Sequence, residues 1–211
     1  MAIIQLNNIT KAYGRKTILD KYNLHINEGE FVALMGVSGK GKSTILNIMG
    51  LLEHFDEGEI VIDGMKNIKP NTGKANKMLR EKISYLFQNF ALVDDETVEY
   101  NLSLAQKYVA GNKKEKRNNM KAALGKVGLE GFEKRKIYEL SGGEQQRVAV
   151  ARIMLKPSKI ILADEPTGSL DEENRDMVIG LLKAINKDGK TIVLVTHDHH
   201  VAGECSRIVS L

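Results

Sequence analysis

The chain has 211 residues, of which 42% are hydrophobic and 27% charged, and its formal net charge is +4. This composition is ordinary for a globular protein and excludes disorder and low complexity, and the length favours one domain or a core domain with a smaller lobe. The single cysteine, Cys205, excludes an intrachain disulfide and is consistent with a reducing cytosol. No apolar run reaches the roughly 18 residues of a membrane span, and no secretory signal pattern opens the chain, so we expect no membrane insertion by the chain alone.

Strand-like and helical runs alternate along the chain. The predicted strands are Ile3–Leu6, Asn23–Ile26, Phe31–Met35, Ile60–Asp63, Ile83–Phe87, Ile160–Ala163 and Thr191–Val195. The predicted helices are Lys42–Met49, Thr97–Val127 with a break at Gly111 and Asn112, Ser141–Leu155 and Glu172–Ile185. Continuous apolar strands that alternate with helices indicate an α/β fold around a mostly parallel sheet. The helical stretch between about residues 88 and 140 interrupts the alternation, so we expect an inserted all-α lobe.

A basic segment lies inside this helical stretch. Between Gly111 and Lys136, nine Lys or Arg stand against three Glu, a local charge of +6. We favour a solvated helical face, with a surface near acidic lipid headgroups or an acidic partner as the alternative. We expect no nucleic-acid partner, because few aromatic residues accompany the charges to stack on bases.

A glycine-rich loop follows the strand Phe31–Met35 and precedes a predicted helix. Gly36–Ser43 fits the pattern G-x-x-x-x-G-K-[ST] at every fixed position. Its glycines let backbone N–H groups turn inward around an anion, and the following helix points its positive dipole end at the same place. We expect Lys42 to reach the β- and γ-phosphates and the Ser43 hydroxyl to ligate Mg²⁺, whereas Lys40 occupies a variable position. The predicted nucleotide-binding residues of this loop are Gly36, Ser38, Gly39, Gly41, Lys42, Ser43 and Thr44.

Two carboxylates, Asp164 and Glu165, end the apolar strand that begins at Ile160. Beside a phosphate-binding loop, Asp164 is expected to hold Mg²⁺. Glu165 is expected to polarise the water that attacks the γ-phosphate, which is a general-base role. The alternative, a pair of surface acids that start a turn before Pro166, is weaker because the same chain carries the phosphate loop.

A second glycine-containing helix start lies at Leu140–Arg147. Ser141 with Glu144 three residues later predicts a capping box and therefore the first turn of a helix. Gly142 and Gly143 are unusual there, because glycine costs about 1 kcal/mol relative to alanine in a helix. They are explained if another group must approach the backbone closely. A hydroxyl, bare N–H groups and a helix dipole end together favour a second anion site.

The run Leu140–Arg147 resembles the LSGGQ-type signature motif of the ABC ATPases, and the other motifs then follow that family's order over about residues 2 to 211. The resemblance implies that Tyr13 stacks on adenine. It implies that Gln88 is the glutamine that links Mg²⁺ and the attacking water to a membrane partner. Asp171, in Ser169-Leu170-Asp171, is similar to the D-loop aspartate, and His197 is similar to the switch histidine that contacts the γ-phosphate.

The family fold implied by this resemblance is α/β: a P-loop NTPase core with a mostly parallel sheet, an N-terminal antiparallel β part and an inserted α-helical lobe. It implies a single domain over 1–211, with a core lobe at about 1–87 and 156–211 and a helical lobe at about 88–155. The implied cofactors are ATP and Mg²⁺. Each ATP would lie between the P-loop of one subunit and Ser141, Gly142 and Gly143 of the other, in a head-to-tail homodimer.

The run Leu162–Asp171 resembles the branch of macrolide and peptide exporters, lipoprotein-release ATPases and cell-division ATPases. It implies a cytoplasmic ATPase subunit, peripheral on the inner face of the membrane, that powers a separate permease for a peptide, drug or lipid-linked cargo, bacteriocin export included. The alternatives are a non-transporting ABC ATPase that regulates a membrane-bound cell-envelope enzyme, and a soluble ABC ATPase. A metal cluster at residues 197–200 is a minor alternative, and His199 and His200 receive no role. The chain ends at Leu211, before the terminal hairpin of many relatives, as a compact or a shortened form would.

Overall fold

The computed structural model describes all 211 residues and contains nine β-strands and seven α-helices. The strands are β1 (Ala2–Tyr13), β2 (Lys16–Asn27), β3 (Phe31–Met35), β4 (Glu57–Ile62), β5 (Met65–Lys66), β6 (Ile83–Leu86), β7 (Ile160–Asp164), β8 (Thr191–Val195) and β9 (Arg207–Ser210). The helices are α1 (Lys42–Met49), α2 (Gly73–Glu81), α3 (Val98–Ala105), α4 (Lys113–Lys126), α5 (Gly142–Met154), α6 (Glu172–Lys187) and α7 (His199–Gly203), and a short 3₁₀ turn covers Ile137–Glu139. None of the helices combines the length and apolar character needed to cross a bilayer.

A five-stranded parallel sheet in the order β6-β7-β8-β3-β9 forms the centre of the fold. Every residue of β3 and β8 is buried, because other elements cover both faces of the sheet, and this explains why all of these residues except Thr191 are apolar. The carboxyl ends of parallel strands meet at one edge. The glycine-rich loop after β3, the acidic pair at the end of β7 and His197 after β8 therefore lie side by side.

The N-terminal part of the chain forms a separate antiparallel sheet in the order β2-β1-β4-β5, as the family resemblance predicts. Its apolar face packs with α1 against one face of the parallel sheet, where Ile4, Ile45 and Val32 belong to one hydrophobic cluster. Strands β1 and β2 have 12 residues each and extend well beyond the predicted short runs. Their other parts were missed because most of those residues, apart from the buried Ile9 and Leu19, are polar or only partly buried, so the apolar signal there is sparse.

The chain between β6 and β7 contains helices only, which confirms the predicted helical insertion. The predicted helix Thr97–Val127 is two helices, α3 and α4, and the interruption at residues 106–112 is longer than the predicted break. The hydrophobic cluster of this insertion continues into the parallel sheet through Ala33 and Ile161. The division into lobes at about residues 88 and 155 therefore remains a prediction.

The sequence did not predict α2, α7, β5 or β9. Helix α2 is rich in Lys and Asn, and it buries only Ala75 and Met78, so it lacks an apolar stripe. Helix α7 has five residues and β5 has two, which is too short for periodicity to show. Strand β9 lies at the sheet edge and is only partly buried. By contrast, β3, α1 and β8 have the bounds that the sequence predicts.

Candidate functional site

A cavity of about 830 Å³ opens at the edge of the parallel sheet where β3, β7 and β8 end. We call it the phosphate cavity. Glu165 and His197 line it together with the predicted loop residues Gly36, Ser38, Gly39, Gly41, Lys42, Ser43 and Thr44. The structure thus brings together side chains from three loops that are far apart in the sequence.

The N-terminus of α1 points into this cavity without a side-chain cap. Side chains cap the N-termini of α2 to α6, namely Thr72, Thr97, Asn112, Ser141 and Asp171. Uncapped N–H groups and a positive dipole end suit α1 to an anionic ligand. The residue before α1, Gly41, has a φ of 90°, and a Cβ there would lie 2.8 Å from Ile18 Cγ2. This position therefore requires glycine.

The Lys42 side chain is folded over the phosphate loop. Its ammonium donates to the carbonyl oxygens of Gly36 at 2.6 Å and Val37 at 3.2 Å. It is therefore held at the mouth of the loop, where it can offset phosphate charge. The Lys40 side chain is exposed and makes no hydrogen bond or ion pair, which agrees with its variable position in the motif.

Ser43 and Asp164 form the part of the cavity that fits a magnesium ion. The Ser43 hydroxyl lies 3.3 Å from Asp164 Oδ1. Burial raises the pKa of Asp164, and the hydrogen bond from Ser43 opposes this increase. A hydroxyl and a half-buried carboxylate beside a phosphate site are oxygen ligands of the kind that Mg²⁺ prefers. Both residues therefore fit the predicted metal site.

Gln88, the third predicted metal ligand, does not line the phosphate cavity. Its side chain is exposed and lies beside Gly168. The Gln88 Nε2 is 3.7 Å from the position that a Cβ on Gly168 would take. It makes no hydrogen bond to Ser43 or Asp164, and its role in metal binding remains a prediction. No group of three or more His, Cys, Asp or Glu side chains is placed to hold a metal ion, at residues 197–200 or elsewhere.

Glu165 and His197 form a contacting pair at the cavity wall. The His197 Nδ1 lies 3.0 Å from the Glu165 carboxylate, and this hydrogen bond raises the pKa of His197. Glu165 has a φ of 45°, in the left-handed region that non-glycine residues rarely adopt. Its N–H donates to Val195 O, which helps to hold this backbone conformation. Backbone strain of this kind costs about 1–3 kcal/mol and is commonly found at functional sites.

Tyr13 lies at the end of β1, is half exposed and is not part of the cavity lining. Its hydroxyl donates to Glu53, and this bond is the main reason that the pKa of Tyr13 is raised. The Lys11 ammonium lies 4.9 Å from the ring centroid. The hydroxyl is thus engaged within the chain, and the role of the ring in adenine stacking remains a prediction.

We expect Tyr13→Ala to raise the KM for ATP, because base–aromatic stacking contributes about 1–3 kcal/mol. Tyr13→Phe keeps the ring and loses only the exposed bond to Glu53, so its KM is expected to change little. Steady-state ATPase assays on both variants make the comparison. An equal loss in both variants would show that the hydroxyl matters and that stacking is the wrong explanation.

The predicted signature residues Ser141, Gly142 and Gly143 form the first turn of α5, which we call the signature turn. The capping box is confirmed: the Ser141 N–H donates to Glu144 Oε2 at 2.7 Å, and the Glu144 N–H donates to Ser141 Oγ at 3.3 Å. Ser141 and Gly142 are exposed, whereas Gly143 is buried. None of the three lines the phosphate cavity of the same chain. Asp171 caps α6, and its carboxylate also accepts from the side chain of Asn174.

Lys16, Ile18 and His199 are among the lining residues of the cavity that received no role from the sequence. Lys16 and Ile18 belong to β2, which reaches the phosphate loop only because the antiparallel sheet packs beside it. His199 begins α7, a helix too short to show in the sequence. No local pattern marks them, so sequence reasoning had no signal with which to find them.

These features define the class of the protein. A parallel sheet, a P-loop at the end of β3, a Ser43–Asp164 pair and a carboxylate beside a histidine together form a P-loop nucleotide-binding site of the NTPase type. A second glycine-containing turn, the capped start of α5, lies outside this site and distinguishes this protein within the class.

The protein-family model for ABC transporters matches residues 19–168, and the chain belongs to this family. It is 40% identical, over 99% of its own length, to the macrolide export ATP-binding/permease protein MacB of Escherichia coli, and it spans 33% of that relative's length. A dimeric structure of the ABC transporter cassette MJ0796 of Methanocaldococcus jannaschii is 43% identical and superposes with a TM-score of 0.89, covering 99% of this chain and 94% of that chain. A post-hydrolysis dimer of the same cassette, bound to ADP and Pi, has the same TM-score of 0.89 at 42% identity, again over 99% and 94% of the two chains. The fold is therefore that of an ABC ATPase cassette.

Proposed function

We propose that this chain binds and hydrolyses ATP, and that this activity powers a membrane permease supplied by another chain. The observation that carries the proposal is the single cavity lined by Lys42, Ser43, Glu165 and His197, with Asp164 beside Ser43. Similarity to a cassette solved with ADP and Pi supports hydrolysis, and similarity to MacB supports the export branch. The proposed cargo is a peptide, a drug or a lipid-linked molecule, and bacteriocin export is one form of this activity.

The chemistry assigned to the chain is in-line attack of water on the γ-phosphate. Lys42 and the N–H groups of α1 hold the phosphates. Ser43 with Asp164 would hold Mg²⁺, whose positive charge would offset the negative charge of the phosphate oxygens. Glu165 accepts a proton from the attacking water. His197 orients the Glu165 carboxylate through the hydrogen bond between the His197 Nδ1 and that carboxylate. Phosphate release from Mg·ATP by the purified chain, with a hydrolysis-deficient variant as the blank, tests this assignment.

The proposed active form is a head-to-tail homodimer around two ATP molecules. The signature turn is a helix N-terminus with an exposed hydroxyl, but it does not line the phosphate cavity of its own chain. An anion bound at the signature turn must therefore belong to another molecule. Dimerisation of the similar cassette MJ0796 supports the partner's nucleotide as that anion.

The permease is proposed to dock in a groove beside the helical insertion. This groove has a volume of about 640 Å³, and Leu79, Phe87, Ala91, Leu104 and Tyr108 give it an apolar lining. We call it the docking groove, and we place the chain in the cytoplasm on the inner face of the cell membrane, where the loops of a permease would reach it.

The floor of the docking groove carries partly buried positive charge. Arg152 and Lys156 line it and donate only to backbone carbonyls, and neither meets a carboxylate. Burial lowers the pKa of Lys156 to about 8, and the nearby cations Arg152 and Lys190 act in the same direction. An apolar groove with uncompensated cations favours an amphipathic segment that carries an acidic residue.

We expect a cysteine at Ala91 to crosslink to the cytoplasmic loops of the co-expressed permease, because Ala91 is exposed in the docking groove. Val61→Cys, at a partly buried position on β4 of the antiparallel sheet, is the control for the other face and is expected to give no crosslink. Burial raises the pKa of the native Cys205 thiol to about 12, and this thiol is the same in both variants, so it does not affect the comparison between them. Crosslinks from position 61 instead of position 91 would show that docking occurs on the other face. Stimulation of the ATPase by the permease in proteoliposomes distinguishes a membrane-coupled role from that of a soluble ATPase.

A further inference from the structure

Asn174 of α6 occupies the space next to the signature turn. A Cβ built on Gly143 would lie 2.2 Å from Asn174 Oδ1 and 2.4 Å from its Cγ, which is too close for any side chain. At Gly142, the nearest atom to a Cβ would be Phe90 Cζ at 3.9 Å, an ordinary contact. Of the two glycines in this turn, only Gly143 is therefore required by a contact within the chain.

Both the carbonyl oxygen and the NH₂ group of the Asn174 amide make hydrogen bonds within the chain. Its Nδ2 donates to both carboxylate oxygens of Asp171, at 3.0 and 2.9 Å, and its Oδ1 accepts from Arg147 Nη1 at 2.6 Å. The carbonyl thus faces a cation and the NH₂ group faces an anion, which fixes the orientation of the amide. The side chain joins α5, which carries the signature turn, to the N-cap of α6.

A second side-chain hydrogen bond joins α5 to the chain that precedes α6. Gln146, which is fully buried in α5, donates to the carbonyl oxygen of Pro166 in the loop after the acidic pair. Neighbouring positions of α5 therefore hold two successive parts of the chain: Gln146 holds the loop between β7 and α6, and Arg147 holds the first turn of α6. Neither residue lines the phosphate cavity, and neither does Asn174.

We propose that Asn174 is a positioning residue that fixes the signature turn relative to the Asp171 turn of the same chain, and that Gly143 is glycine because the Asn174 amide fills the place of a Cβ. This inference rests on the proposed dimer, in which the signature turn binds the partner's nucleotide. Asn174 then fixes the position of the signature turn that binds the partner's nucleotide, without contacting the nucleotide in the phosphate cavity of its own chain.

A double-mutant cycle in unfolding tests the steric part without nucleotide. Gly143→Ala is expected to lower the urea midpoint, and Gly143→Ala/Asn174→Ala is expected to recover much of it, because the truncated side chain makes room for the new Cβ. Gly142→Ala is the matched control: a Cβ has space there, and alanine favours a helix over glycine, so the urea midpoint should stay the same or rise. Additive effects of the two substitutions would overturn the inference. This result does not depend on whether the chain dimerises.

The positioning part is tested in the Glu165→Gln background, where an ATP-bound dimer is expected to accumulate. Asn174→Ala should weaken Mg·ATP-dependent dimerisation roughly five- to thirtyfold, while monomer affinity for a fluorescent ATP analogue stays unchanged. Asn174→Asp keeps the shape but sets a carboxylate against Asp171, so it should not rescue dimerisation. An unchanged dimer, or an equal loss of monomer nucleotide binding, would overturn the positioning role. Failure of the Glu165→Gln parent to dimerise would instead count against the proposed function and leave the unfolding cycle to decide the inference.

Discussion

Glu165→Gln protein is expected to be monomeric without nucleotide and dimeric with Mg·ATP. Glutamine keeps the size of the side chain but cannot accept a proton from water, and loss of a general base typically costs about 10²–10⁴-fold in rate. ATP then persists between the subunits and holds them together through its phosphates. The bond to His197 Nδ1 can be kept by the amide oxygen, so the wall of the phosphate cavity is preserved. Light scattering on the purified chain, with and without Mg·ATP, measures the change.

Adding Ser141→Arg to Glu165→Gln is expected to abolish this dimer, because it places a bulky cation at the exposed start of α5 where the partner's nucleotide would bind. Ser141→Ala separates this effect from loss of the cap, which by itself costs about 1 kcal/mol. The alanine variant should dimerise more weakly, and the arginine variant should not dimerise at all. A dimer unaffected by Ser141→Arg would contradict the composite site. A parent that stays monomeric at saturating ATP would count against a dimer formed by the chain alone, and would leave open a dimer that needs the permease.

Lys42→Ala is expected to abolish hydrolysis and to weaken Mg·ATP binding. Its ammonium is held at the phosphate loop by the carbonyls of Gly36 and Val37, where it would offset phosphate charge. Charged hydrogen bonds contribute about 1.5–3 kcal/mol, which corresponds to roughly ten- to a hundredfold in affinity. Calorimetric titration with Mg·ATP and a phosphate-release assay measure both losses.

Lys40→Ala is the matched control for this substitution. It removes the same charge from the same loop, but at an exposed side chain without a partner. Turnover and binding are expected to stay close to those of the unmodified chain. Wild-type turnover in Lys42→Ala would refute the assignment of the site. An equal loss in Lys40→Ala would show that the charge of the loop in general, and not Lys42 in particular, supports the reaction.

The motifs were predictable because each depends on residues that are close together in the sequence. Gly36–Ser43 encodes a strand, a turn and a helix start within one short run. Ser141 and Glu144 are three residues apart, so their capping box follows from spacing alone. The buried strands β3 and β8 were equally clear, because both of their faces are covered and every residue except Thr191 is apolar.

The signature glycines show where such local reasoning is incomplete. The sequence indicated that another group approaches both glycines closely. The structure shows that Asn174, from the same chain, is the group beside Gly143, whereas Gly142 is exposed. Asn174 lies 31 positions further along the chain, in another helix, and no spacing rule links the two.

The sequence by itself determined the chemical groups: a phosphate loop, an acidic pair, a capped glycine turn and a family that uses them together. Only the tertiary structure decided which of these groups share a site. The strand order β7-β8-β3 places Asp164, Glu165 and His197 next to the phosphate loop, and the course of α5 keeps the signature turn out of the same cavity. Strand order and helix packing are set by contacts between residues far apart in the chain, and local periodicity carries no record of them.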